Sequence, residues 1–120
     1  MNIESYREYC LAKPGTTEGL PFGPDVLVFK VMNKMFALTN LDSFESINLK
    51  CNPEKAVQLR EQYDAVLPGY HMNKQHWNTV LMDGTLPDAL IKEWIDDSYA
   101  LIAQSLPKKD REALAKLSEN

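Results

Sequence analysis

The stretch VLVFKVMNKMFALT (residues 26–39) decides the fold. Val26 to Val31 is β-branched or aromatic at most positions, which is the composition of a strand. Met32, Asn33 and Lys34 supply a short turn, and Met35 to Thr39 returns as a second strand, so the stretch is a β-hairpin. Beyond a polar loop, Asn40 to Glu45, a third short strand runs from Ser46 to Lys50. Its Ile47 and Leu49 share one face, and Asn48 and Lys50 share the other. Strands joined through hairpins, with no β-α-β alternation, specify an antiparallel sheet.

Working outward toward the N-terminus, Asn2 caps a first helix in which Ile3, Tyr6 and Cys10 fall on one face. Lys13, Pro14 and Gly15 end it, because proline cannot continue a helix and glycine suits the exit. Thr16 to Asp25 contains Gly19, Pro21, Gly23 and Pro24 and reads as a loop, with Phe22 as an aromatic plug against the core and a ligand contact as its alternative. Toward the C-terminus, Asn52, Pro53 and Glu54 form a strong helix start, a cap followed by proline and an acid in the first turn. Ala56, Leu59 and Tyr63 give this helix its apolar face. Ala65 to Leu67 reads as a short edge strand before Pro68 and Gly69. Asn73 caps a single turn, and Trp77 to Met82 forms the last strand, with Trp77, Thr79 and Leu81 on one face. Pro87 begins the longest helix, which runs to about Leu106 and carries an inward stripe of Ile91, Trp94 or Ile95, Ser98 and Ile102. Pro107 closes it, and residues 108–117 form a final short helix. The expectation is an α+β fold of two layers. A five-stranded antiparallel sheet has its helices packed on one face, in the order α-β-β-β-α-β-β-α plus the C-terminal helix. It forms one domain over residues 1–117, with 118–120 frayed.

A chain of 120 residues with 44% apolar and 25% charged side chains can bury a core without staples and does not have the composition of a disordered one. No apolar run approaches the ~20 residues that span a bilayer, so no membrane association is expected. The polar, mixed-charge start is unlike a signal peptide. Cys10 and Cys51 stand in no C-x-x-C pattern; free thiols in a reducing cytosol are the simplest reading, with a disulfide between them left open. The net charge of −4 argues against nonspecific coating of nucleic acid. The charge is uneven, however: residues 1–29 carry −2, residues 30–77 carry +1 and residues 78–120 carry −3.

Catalytic and metal chemistry find little footing. His71 and His76 are five apart with no C-x-x-C or carboxylate set nearby, so no metal site is expected. Cys51 precedes a helix N-terminus, where a thiol can be acidified, but a small buried apolar group is the stronger reading. There is no G-x-S-x-G elbow, G-x-G-x-x-G loop or Walker pattern. Asp96 and Asp97 read as a solvated helix face. The most capable stretch is residues 67–84. Within it Tyr70, His71, Asn73, Lys74, Gln75, His76 and Trp77 offer cations, amides and planar rings, the three kinds of group a nucleic-acid surface needs. Lys30 and Lys34 flank the first hairpin turn and Lys50 ends the third strand. The alternative, that Trp77 is core and the loop merely solvated, stays open.

Several blocks carry a resemblance. Lys13-Pro14-Gly15, Pro21-Phe22-Gly23, Met35-Phe36-Ala37, Asn48-Leu49-Lys50-Cys51-x-Pro53, Tyr70-x-Met72-Asn73-Lys74-x-His76-Trp77, Leu81-x-Asp83-Gly84 and Ser98-Tyr99 look like the MmcQ/YjbR family. The resemblance covers residues 1–106. It implies a small cytoplasmic bacterial protein, laid out like secretion chaperones. It also implies a role in binding double-stranded DNA through two β-hairpin wings, with no enzymatic activity and no cofactor. Carried over by motif, the binding positions are the Tyr70–Trp77 block and Lys50. A protein-interaction or chaperone-like module is the alternative, with the oligomeric state left open.

Overall fold

The computed structural model describes residues 1–69 and 72–118. Ten elements follow one another along the chain: α1 (Ile3–Leu11), β1 (Thr16–Gly19), β2 (Val26–Val31), β3 (Lys34–Asn40), β4 (Ser46–Lys50), α2 (Pro53–Gln62), β5 (Val66–Pro68), β6 (Trp77–Leu81), α3 (Asp88–Gln104) and α4 (Lys108–Ser118). The strands form one antiparallel sheet in the order β1-β2-β3-β4-β6-β5. It is the expected α+β architecture with one strand more. The extra strand is β1, which the glycines and prolines of residues 16–25 disguise as loop. It pairs with the outer edge of β2, Thr16 opposite Val31 and Gly19 opposite Val28, and none of its residues is buried. A short polar edge strand needs no apolar alternation, and a polar edge also discourages pairing with other chains.

Local chemistry explains the ends of the elements. Asn2 Oδ1 accepts from the Ser5 amide at 2.8 Å, and Ser5 Oγ accepts in return from the Asn2 amide at 3.1 Å, a reciprocal cap on α1. Asn52 Oδ1 accepts from the Glu54 amide at 3.0 Å and opens α2. Met32 and Asn33 both have positive φ, +47° and +73°, as a two-residue hairpin turn between right-twisted strands requires.

One face of the sheet is covered by helices. Leu27, Phe29, Val31, Phe36, Ala37, Ile47, Leu49, Val66 and Val80 point into it and meet Tyr6, Ile91, Trp94, Ile95 and Ile102. Cys10 and Cys51 are free and buried. Ser98, fully buried on α3, ties that helix to the sheet. β3 carries a bulge, since Phe29 faces Ala37 but Lys30 faces Met35, which leaves Phe36 without a partner on β2. Pairing of β3 with β4 stops one step short of Phe36 and Lys50. Ser98 Oγ fills the gap: it donates to the Phe36 carbonyl at 2.6 Å and accepts from the Lys50 amide at 2.9 Å.

The end of α1 is pinned to α3. Lys13 Nζ pairs with Asp96 and lies over the rings of Tyr9 and Tyr99, while Tyr99 Oη donates to the Pro14 carbonyl. Lys55 Nζ meets Asp97 at 2.8 Å. Asp96 and Asp97 stand on a solvent-exposed face, as expected, and each also carries one ion pair, to Lys13 just beyond α1 and to Lys55 on α2. Gly15 adopts φ +71°, and a Cβ on it would lie 2.7 Å from Leu114 of α4. α4 continues through Ser118, whose Oγ donates to the Leu114 carbonyl; the expected fraying at 119 and 120 falls outside the described residues.

Candidate nucleic-acid interface

Among the described residues no helix covers the other face of the sheet. Alternation along the strands assigns to it Val26, Val28 and Lys30 of β2, Met35 and Leu38 of β3, Ser46, Asn48 and Lys50 of β4, and Trp77 and Thr79 of β6. Two loops wall it. The β1–β2 loop brings Phe22 to one side, and the β5–β6 loop brings Met72 and Asn73 to the other. Between them lies a groove of about 570 Å³ lined also by Val26, Met35, Leu38, Asn40, Asn48 and Trp77. Among the described residues no charged side chain lines it. Phe22 is 66% exposed, so it does not plug the core as its sequence setting suggests; it edges this groove.

Local structure holds the groove's far wall. Asn73 Oδ1 accepts from the Gln75 amide at 2.9 Å, and the Asn73 carbonyl accepts from the His76 and Trp77 amides at 3.2 and 2.9 Å, so Asn73 nucleates the expected turn. The His76 carbonyl accepts from the Cys51 amide at 2.7 Å, and the Trp77 carbonyl accepts from the Gly69 amide at 2.8 Å. Gly69 packs so closely on Trp77 that an added Cβ would lie 2.8 Å from both its Cβ and its carbonyl oxygen. Trp77 is buried at 8% exposure, on the face that has no helices. Beside it, Asn48 Oδ1 accepts from Thr79 Oγ1 at 2.8 Å, which leaves the Asn48 amide NH₂ as a donor on the groove wall.

The residues singled out by sequence gather at one end of the sheet. The β2–β3 turn, the end of β4 and the β5–β6 loop all lie there, as the antiparallel register requires. Lys30 sits opposite Met35, and Lys50 sits opposite Trp77. With two strand spacings between them, these lysines stand about 10 Å apart on the open face. Lys74 is exposed in the loop beyond Trp77. Lys34 shares this end but is one step out of phase with Met35, so it leaves the strand toward the helical side. Tyr70 and His71 lie outside the described residues. Arg60, which sequence did not single out, also belongs here: its Nη1 donates to the Lys74 carbonyl at 3.1 Å. Among the described residues none of Lys30, Lys34, Lys50, Arg60 or Lys74 has a carboxylate within ion-pair distance. The opposite end carries Asp25, Asp42, Glu45, Asp64 and Asp83, all in the loops that enter or leave the strands there.

Burial pushes the Cys51 thiol above its ordinary 9.0, more strongly than nearby Lys55 lowers it, so the helix N-terminus does not activate it. Among the described residues no three His, Cys, Asp or Glu side chains are grouped as metal ligands, and no helix is long and apolar enough to cross a membrane.

A family model described as YjbR matches residues 11–101. The chain belongs to the YjbR family. It is 36% identical to the uncharacterized protein YjbR of Escherichia coli K12 over 118 residues, covering 98% of this chain and 100% of the relative. It is 37% identical to the uncharacterized protein YbdF of Escherichia coli O157:H7 over 109 residues, covering 90% and 89%. The crystal structure of Deinococcus radiodurans protein DR2400 superposes with a TM-score of 0.87 at 36% identity, over 95% of this chain and 88% of that one. A Pseudomonas syringae protein superposes with a TM-score of 0.71 at 33% identity, over 84% and 98%. The sequence blocks that carry the family resemblance thus have physical addresses. Lys13-Pro14-Gly15 and Ser98-Tyr99 meet at the joint between α1 and α3, and the block that ends at Trp77 builds the groove wall.

Proposed function

We propose that this YjbR family member binds DNA, with phosphates seated on the basic end of the sheet. The observation that carries the reading is the segregation of charge along the strands. A chain of net charge −4 places four lysines and Arg60 at one end, without ion-pair partners among the described residues, and five acids at the other. Cations without carboxylate partners are free to neutralise phosphates, and the counterions condensed on the nucleic acid are then released, which supplies much of the affinity of such contacts. The acidic end repels the same strand and so orients it. The β2–β3 turn at Met32 and Asn33 and the described loop residues Met72 to His76 lie at this same end, which supports the reading of hairpin connections as the contact points.

The test is fluorescence anisotropy of a labelled oligonucleotide at low salt with Lys50→Glu/Lys74→Glu. Lys108→Glu/Lys109→Glu on α4, an equal change of charge at exposed sites, is the comparison. The Lys50/Lys74 reversal weakens binding by about tenfold or more, and the α4 reversal changes it by less than about twofold. Equal loss from both would show that only net charge matters and would remove the basic end as a site.

A further inference from the structure

We infer that the open-face groove is a pocket for an unpaired nucleobase, so that the nucleic acid this protein prefers is single-stranded. The inference rests on the phosphate-binding role proposed above and names what lies between those phosphates. The groove's volume, about 570 Å³, lies in the range of small-ligand sites, roughly 300–1,000 Å³. Among the described residues its lining is uncharged: apolar Phe22, Val26, Met35, Leu38, Met72 and Trp77, interrupted by the amides of Asn40, Asn48 and Asn73 and by Thr39 and Ser46. Such a surface suits a flat, uncharged group with hydrogen-bonding edges. Amides supply both donor and acceptor, and in single-strand readers base edges are met by such groups while base faces rest on aromatic or apolar side chains.

The groove's mouth supplies the second half of the match. Lys30 and Lys50 are the cross-strand neighbours of the lining residues Met35 and Trp77. A neutral slot that opens beside paired cations is complementary to a nucleotide, with base inward and phosphate outward. A duplex cannot fill it, because its bases are stacked and paired and expose only their edges. A single strand leaves its bases free to turn in, while successive phosphates reach Lys74 and Arg60. A free mononucleotide shares the chemistry but engages only one or two of those cations.

The experiment compares one twelve-nucleotide sequence as single strand and as duplex, by anisotropy at matched salt. ¹⁵N-NMR then follows the side-chain amides of Asn48 and Asn73 on addition of the single strand or of thymidine 5′-monophosphate. The single strand binds about tenfold or more tightly than the duplex, the size of one base-stacking contact. Phe22→Ala, at an exposed loop position, and Leu38→Glu, which puts a carboxylate in the groove, each weaken single-strand binding by about fivefold or more and duplex binding by less than about twofold. The single strand shifts the two amides, and the mononucleotide shifts them at much higher concentration. Equal affinity for both strand forms, with no effect of the groove variants, overturns the base pocket and leaves the phosphate-binding proposal standing. Amide shifts from the mononucleotide alone overturn the single-strand assignment in favour of a free nucleotide. No binding of either form overturns both.

Discussion

Ser98→Ala removes one oxygen atom from the centre of the molecule, and the structure sets what that costs. The hydroxyl bridges the Phe36 carbonyl and the Lys50 amide, at a place where the bulge has ended β3–β4 pairing. Ser98 is fully buried, so neither backbone group gains ready access to solvent when the hydroxyl is deleted. A buried polar group left without a partner costs about 1–3 kcal/mol, and partial relaxation brings two of them to about 2–4 kcal/mol. For 120 residues the unfolding entropy is roughly 0.25 kcal/mol/K, so Tm falls by about 8–16 °C. Urea denaturation followed by circular dichroism reads the change as a lower midpoint at unchanged slope. Ser105→Ala is the comparison: that hydroxyl is exposed and bonds within its own helix, to the Ile102 carbonyl, and its loss costs less than about 0.5 kcal/mol. A Ser98→Ala variant within about 0.5 kcal/mol of the parent would refute the bridging role. Because Lys50 is one end of the bridge, the variant also lowers oligonucleotide affinity under conditions where it is fully folded.

Further outcomes follow from the same geometry. Gly69→Ala drives a Cβ to 2.8 Å from Trp77 backbone and side-chain atoms, destabilises the fold by about 1–3 kcal/mol, and disturbs the groove wall; denaturation and the amide NMR spectrum read the two effects. Burial pushes the Cys10 thiol from 9.0 to about 12. Its folded pKa is raised, so the associated stability is fully present below pH 9 and is lost as pH climbs toward 12, at about 1.4 kcal/mol per unit from this group; denaturation midpoints across alkaline pH measure it. For the same reason neither cysteine reacts with iodoacetamide in the native protein at pH 8, and both react once urea unfolds it; rapid native labelling of Cys51 would reopen its reading as a nucleophile.

The fold was legible wherever an element is buried on one side. β2, β3, β4 and β6 announce themselves by β-branched and aromatic residues, and α3 by its inward stripe, because burial constrains those positions. β1 was not legible, since an edge strand of Thr-Thr-Glu-Gly buries nothing and its pairing lives in the backbone. The candidate site was half legible. The lysines and the block ending at Trp77 stand out by side-chain chemistry. The groove does not, because it is assembled from six separate stretches, and Phe22 was misplaced on account of its proline-rich setting. One signal pointed to it: β2 and β3 are apolar at Val26, Val28, Met35 and Leu38 as well as on the core face, and a sheet with one wet face has no need of that. Arg60 had no signal at all, since only the tertiary fold brings α2 to the β5–β6 loop. The lysine of Lys13-Pro14-Gly15 teaches the converse. A cation in a family block can be wholly structural, as its pairing with Asp96 and its place over two tyrosine rings make plain.

The central claim is that phosphates are met by the unpaired cations of one sheet end. The most direct measurement is the salt dependence of oligonucleotide affinity. Three to four phosphate contacts give a slope of log K against log salt of about −2 to −4, steeper for duplex than for single strand at equal contact number. Lys50→Glu/Lys74→Glu flattens that slope by about two contacts' worth. A slope near zero, or the absence of binding even at low salt, contradicts the account.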